Sequence, residues 1–165
     1  MIKNGDQLEA TFTHIENDRA VMVDISRKDV IVRKAIASGE IVLNDATIEK
    51  IRTGAVEKGN VLSTARVASI LAVKKTPELI PMCHQIPITS VDVNFSIYDN
   101  IVCATVEVRS VGKTGVEMEA LTGVSVALLT VWDMVKSAEK DETGNYPATG
   151  IQNIKVLEKV KMDQN

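Results

Sequence analysis

The sequence predicts an α+β fold, an antiparallel sheet with helices packed on one face. Ser90 to Ile97 alternates polar and apolar residues, with Val91, Val93, Phe95 and Ile97 on one side. Ile101 to Arg109 returns across a Tyr98-Asp99-Asn100 turn as the paired strand. Val116 to about Lys140 carries the longest helical signal, about 37 Å at about 1.5 Å rise per residue. In chain order the segments read strand, helix, strand, strand, helix, strand, which is the split β-α-β order of a ferredoxin-like sandwich.

The remaining elements follow from local chemistry. Residues 1–20 read as a polar N-terminal arm, residues 21–160 as a single domain and residues 161–165 as a tail. Val21 to Ser26 and Val30 to Leu43 are β-branched and partly alternating, which predicts short strands or an extended hairpin. Asn44 or Asp45 is placed to cap a short helix that ends near Gly54. Val61, Leu62, Ala65, Ala68, Leu71 and Ala72 recur at helical spacing over Val61 to Lys75. Thr76, which precedes Pro77, is expected to end that helix, because a residue before proline is pushed out of the α region. Ile154 to Val160 reads as the last strand.

Composition narrows the function. Apolar residues make up 45% of the 165-residue chain but aromatics only 3%, so the core must be aliphatic. A net charge of −3 and so few rings exclude a dedicated nucleic-acid binder, which needs basic balance and stacking platforms. No stretch approaches the roughly 20 consecutive apolar residues of a membrane span, and the first residues are too polar for a signal peptide. A cytoplasmic protein is expected, with Cys83 and Cys103 as reduced thiols. Cys83 and His84 lack the partner spacing of a zinc site, so no metal is expected.

Several segments carry candidate chemistry. Lys58-Gly59-Asn60-Val61 sets a cation before a helix start, where backbone N–H groups attract anions; its ordinary alternative is a solvated lysine in a glycine turn. Pro81-Met82-Cys83-His84 holds a histidine in a constrained loop, suited to proton transfer or phosphate contact, or else to a plain core hydrogen bond. Gly112-Lys113-Thr114-Gly115 imitates a phosphate-binding P-loop, but the glycine that motif needs five residues earlier is Glu107. A tight strand-to-helix turn accounts for its glycines.

On the long helix Glu119, Val126 and Asp133 recur every seven residues, drifting about 20° per heptad, with Lys136 three residues beyond Asp133. Asp133, Lys136 and Lys140 also fit a solvent-facing salt-bridge ladder. Fourteen residues separate Glu119 from Asp133, about 21 Å along the axis. If both serve one site, that site lies between subunits, and a homo-oligomer is expected.

Met22-Val23-Asp24-Ile25-Ser26, Lys58-Gly59-Asn60-Val61, Thr64-Ala65-Arg66, Leu79 to His84, Gly112 to Thr122 and Asp133-Met134-Val135-Lys136 together resemble one family. It is that of the cyclic pyranopterin monophosphate synthases, the molybdenum cofactor biosynthesis protein C family. The resemblance runs from about Val21 to Lys140 and more faintly to Lys159. It implies a lyase that converts 3',8-cyclo-7,8-dihydroguanosine 5'-triphosphate to cyclic pyranopterin monophosphate and releases pyrophosphate. It also implies a ferredoxin-like fold and a hexamer built as a trimer of dimers, with the site at a dimer interface.

Carried over by position, Asp133, Lys136 and Lys58 are catalytic, and Met82, Cys83, His84, Met118, Glu119, Glu117 and Arg33 are substrate-binding. No cofactor is implied, Mg2+ entering only as companion of the small-molecule triphosphate. Asn60 departs from an aspartate common in the family. The tail from Ile151 lacks the Gly-rich lysine segment of bacterial members, which leaves Lys159 without an assigned role. A nucleotide sensor using Gly112 to Gly115 and a purely structural oligomerisation domain stay open as other classes.

Overall fold

The computed structural model describes residues 15–16 and 19–162. Two short strands, β1 (Ile15–Glu16) and β2 (Arg19–Ala20), pair antiparallel within the expected arm; the rest of that arm and the tail beyond residue 162 lie outside the described residues. The body of the chain runs β3 (Ile31–Val42), α1 (Asp45–Thr53), α2 (Val61–Lys74), α3 (Thr76–Leu79), β4 (Ile88–Tyr98), β5 (Ile101–Gly112), α4 (Glu117–Glu139) and β6 (Gly150–Met162). The last four long strands form one antiparallel sheet in the order β4-β5-β3-β6. That is the strand order of the split β-α-β sandwich expected from the sequence.

Period-two patterning decides which sheet face is covered. Val102, Ala104, Val106 and Val108 of β5 and Ala35, Ala37 and Ile41 of β3 are fully buried beneath α2 and α4. Burying one such valine or isoleucine side chain is worth about 1.5–3 kcal/mol. As composition requires, the buried core is aliphatic, and Phe95 and Trp132 only pack against its margin. Two glycines let the layers close. A β-carbon at Gly39 would fall 2.7 Å from Val124 Cγ1 and 2.9 Å from Leu128 Cδ1, and one at Gly123 would fall 2.8 Å from Val73 Cγ2. Beta strand β3 therefore lies close under α4, and α4 close beside α2.

By length and composition α4 is apolar enough to cross a membrane, with a mean hydropathy of 1.4. In the fold it is the core helix: Val124, Ala127, Leu128 and Val131 are fully buried in this domain, and Glu119 and Glu139 are buried with them.

The structure corrects two local expectations and the physical reason behind a third. Val21 to Ser26 is not a strand. The Asp24 carboxylate accepts hydrogen bonds from the Ser26 N–H at 2.8 Å and hydroxyl at 3.1 Å, and the chain turns at Ile25 to Lys28. Such local side-chain bonds offer the backbone an alternative to a ladder. The helix from Val61 does end just before Thr76, as expected, but Thr76 itself stays helical. The α2 helix ends at Lys74, and Pro77 sits in the first turn of α3, where its missing N–H costs nothing. Strand β6 starts at Gly150 rather than near Ile154; register shifts against β3 and a left-handed Asn153 (φ 55°) interrupt the alternation that would have revealed it.

Candidate functional site

The first constellation forms at the C-terminal end of α4. Asp133 and Lys136 are three residues apart on the helix, so their side chains meet, with Lys136 Nζ 2.7 Å from Asp133 Oδ1. Lys58 comes from the connection between α1 and α2, and its ammonium lies 3.3 Å from Asp133 Oδ2 and 2.7 Å from the Asp133 carbonyl oxygen. Each carboxylate oxygen thus faces a different lysine. Lys58 is not aimed at the start of α2, as a phosphate on that helix end would require; the Asn60 side chain occupies that end by accepting from the Ser63 N–H at 2.9 Å.

The Asp133 and Lys136 side chains are 59% and 48% exposed. Lys136, and after it Lys58, holds the Asp133 carboxyl below the usual carboxylate range, while Asp133 pushes the Lys136 ammonium up.

A second constellation forms at the other end of α4, around a cavity of about 300 Å³. Met82, Cys83 and His84 from the loop after α3 line it together with Met118 and Glu119 from the first turn of α4. Val23, Ile25 and Lys28, from the segment before β3, complete its wall. His84 Nε2 lies 2.8 Å from the Val23 carbonyl oxygen. A carbonyl only accepts, so Nε2 carries the proton.

Glu119 is 2% exposed, with its Oε2 making no hydrogen bond, and it also borders a smaller cavity beside Val73 and Pro77. Burial raises its pKa, the neighbouring Glu117 adding to the effect. Burial likewise raises the Cys83 thiol, with a smaller push from Glu119. Cys83 and Cys103 are both free thiols.

The sign of the Glu119 shift makes a testable statement. A carboxyl whose folded pKa exceeds its unfolded value binds its proton more tightly when folded. Its stabilising contribution is then complete below the unfolded pKa and is lost as pH rises through the folded value. Glu119→Gln is expected to raise Tm at neutral pH and to flatten the fall of stability between mildly acidic and neutral pH. Identical pH slopes for the two proteins in thermal melts would contradict this.

Arg33 and Glu117 occupy tying positions. Arg33 is 7% exposed and donates to the carbonyls of Gly112 (2.8 Å) and Lys113 (3.1 Å). The Gly112 to Gly115 turn thus points carbonyls at an arginine, and Lys113 Nζ donates to the Ser26 carbonyl, an arrangement unlike a P-loop. Glu117 forms an ion pair with Lys159 of β6, which gives that lysine a structural partner. Among the described residues no group of three or more His, Cys, Asp or Glu side chains is placed to hold a metal.

The structure therefore joins Lys58, Asp133 and Lys136 at one end of α4, and Met82, Cys83, His84, Met118 and Glu119 at the other. Sequence reasoning assigned no role to Val23, Ile25 or Lys28, although Met22 to Ser26 was among the segments carrying the resemblance.

The MoaC family matches residues 22–161. A probable cyclic pyranopterin monophosphate synthase of Methanococcoides burtonii is 74% identical over 91% of this chain and 94% of its own length. One of Methanosarcina acetivorans is 74% identical over 93% and 98%, and one of Pyrococcus abyssi is 60% identical over 90% and 94%. The chain belongs to the MoaC family.

Proposed function

We propose that this chain is a cyclic pyranopterin monophosphate synthase, the lyase of molybdenum cofactor biosynthesis that converts 3',8-cyclo-7,8-dihydroguanosine 5'-triphosphate to cyclic pyranopterin monophosphate and pyrophosphate. The observation that carries it is the Asp133 carboxylate held between two ammonium groups from separate elements, in a chain whose relatives bear that name.

The chemistry asks for charge neutralisation on three phosphates and for several proton transfers. Lys58 and Lys136 supply cations, and His84 a further contact to phosphate. A triphosphate that draws the lysines toward itself takes them from Asp133, whose pKa then rises toward the ordinary range, so the carboxylate becomes a better base as substrate arrives. Asp133 and Lys136 exchange protons with the opening and reclosing ring. The ribose-derived hydroxyl then attacks the inner phosphate, and the bond to the departing pyrophosphate breaks as cationic side chains hold its charge. Met82, Cys83, Met118 and Glu119 contact the base-derived end.

The two constellations stand about 21 Å apart along α4, from its rise per residue. One substrate reaches both only if a second protomer contributes the missing half, which supports a site at a dimer interface and a hexamer built as a trimer of dimers. The enzyme works in the cytoplasm on a small-molecule substrate, with no cofactor of its own and Mg2+ only as the triphosphate's companion.

Incubation with the cyclic GTP derivative is expected to release pyrophosphate and, after oxidation, to yield a fluorescent pterin. Folded protein that gives neither product, but binds unmodified GTP in a manner lost on Lys113→Ala, would point instead to a nucleotide sensor.

A further inference from the structure

Glu139 closes the last turn of α4, yet it is 2% exposed. Its two carboxylate oxygens accept from the Asn44 N–H at 3.2 and 3.1 Å, and Oε2 also accepts from the Thr149 hydroxyl at 2.5 Å. A carboxylate buried this deeply persists only where its hydrogen bonds are met. Asn44 immediately precedes α1, and its own side chain makes no cap bond.

From Asn44 the chain runs through α1 to Lys58 over a cavity of about 560 Å³, with Thr47, Lys50 and Lys58 on one wall and Met134, Val135 and Ala138 of α4 on the other. Among the described residues, the hydrogen bonds from this segment to α4 occur only at its two ends: Asn44 to Glu139, and Lys58 to Asp133.

We propose that Glu139 is a positioning residue for Lys58, anchoring the near end of the α1 segment to α4 so that its far end sets the lysine against Asp133. This rests on Lys58 and Asp133 acting in the reaction. The Asn44 end is a pivot. Released, α1 shifts over the cavity beneath it, and a displacement of about 1 Å at a reacting group costs on the order of 10²-fold in rate.

Glu139→Ala is expected to lower kcat/KM by roughly 10- to 100-fold and to move the acidic limb of its pH profile upward. The limb moves because Asp133 keeps Lys136, with Tyr146 beside it, but loses Lys58; Glu139 itself faces the neutral Asn44 and Thr149. A role in stability alone would leave the limb in place. Glu139→Gln, which retains an acceptor, restores most of the activity. Combining Glu139→Ala with Lys58→Ala should be no worse than Lys58→Ala by itself, the non-additivity of two residues acting as one unit.

Should Glu139→Ala fail to fold, Asn44→Pro deletes the same bond from the donor side, since Asn44 already has φ −66°. The same upward movement of the limb is expected. An unmoved acidic limb in the folded variant, or losses that multiply in the double variant, overturns the proposal. Near-native turnover in Lys58→Ala would instead overturn the assignment of the site itself.

Discussion

Replacing Asp133 by asparagine is expected to lower kcat by about 10²- to 10⁴-fold, the usual contribution of a positioned acid or base. The substitution keeps the shape of the side chain and removes its charge and basicity. Asp133 is exposed and its partners are lysines on the surface, so the loss of these ion pairs should leave Tm nearly unchanged. Lys136→Ala should lose activity over the same range; near-native turnover in that variant would remove it from the chemistry.

The pH profile adds an independent check. Lys136 and Lys58 hold Asp133 below the ordinary carboxylate range, so in the free enzyme it stays ionised into mild acid. The acidic limb of kcat/KM should therefore lie below that of an unpaired carboxyl, and it should move up in Lys136→Ala. Steady-state rates between about pH 2.5 and 6, a range that spans the ordinary carboxylate value of about 3.9, read both effects.

The second large effect is recovery rather than loss. Glu119→Ala and Asp133→Ala are each expected to be nearly inactive, because each removes one end of a divided site. When inactive subunits of the two kinds are unfolded, mixed in equal amounts and reassembled, a hybrid pair unites an intact Glu119 end from one chain with an intact Asp133 end from the other. In a two-fold symmetric pair, random mixing should restore about a quarter of the wild-type sites. No recovery in oligomers shown to be hybrid would count against a site shared between the two ends of α4.

How far the sequence could be read depended on the range of the interactions involved. Strands β4 and β5 were legible because alternation of Val91, Val93, Phe95 and Ile97 with polar neighbours has one physical explanation, a sheet half in water. The pairing of Asp133 with Lys136 follows from helical spacing alone. Lys58 does not: it lies 75 residues from Asp133, and only the resemblance joined them before the fold brought them together.

Val21 to Ser26 misled because β-branched composition is outweighed by one aspartate bonding its own backbone two residues on. Glu139 drew no attention, since a glutamate near a helix end ordinarily faces solvent; here Asn44, just before α1, and Thr149, just before β6, meet its carboxylate. Arg33 was singled out by position in the family, while its bonds to Gly112 and Lys113 could be known only once β3 and β5 were in register.

The close seating of α4, with Gly39 beneath Val124 and Leu128 and Gly123 against Val73, gives that helix the character of a measuring rod. Clamped at mid-length, it can neither slide nor roll, so the spacing and the relative bearing of its two working ends are set by helical pitch. Inserting a single residue between the clamp and Asp133 would swing the carboxylate by about 100° around the axis. A change in the length of a surface loop would leave that gauge untouched, whereas any change of length within α4 would undo the shared site proposed above.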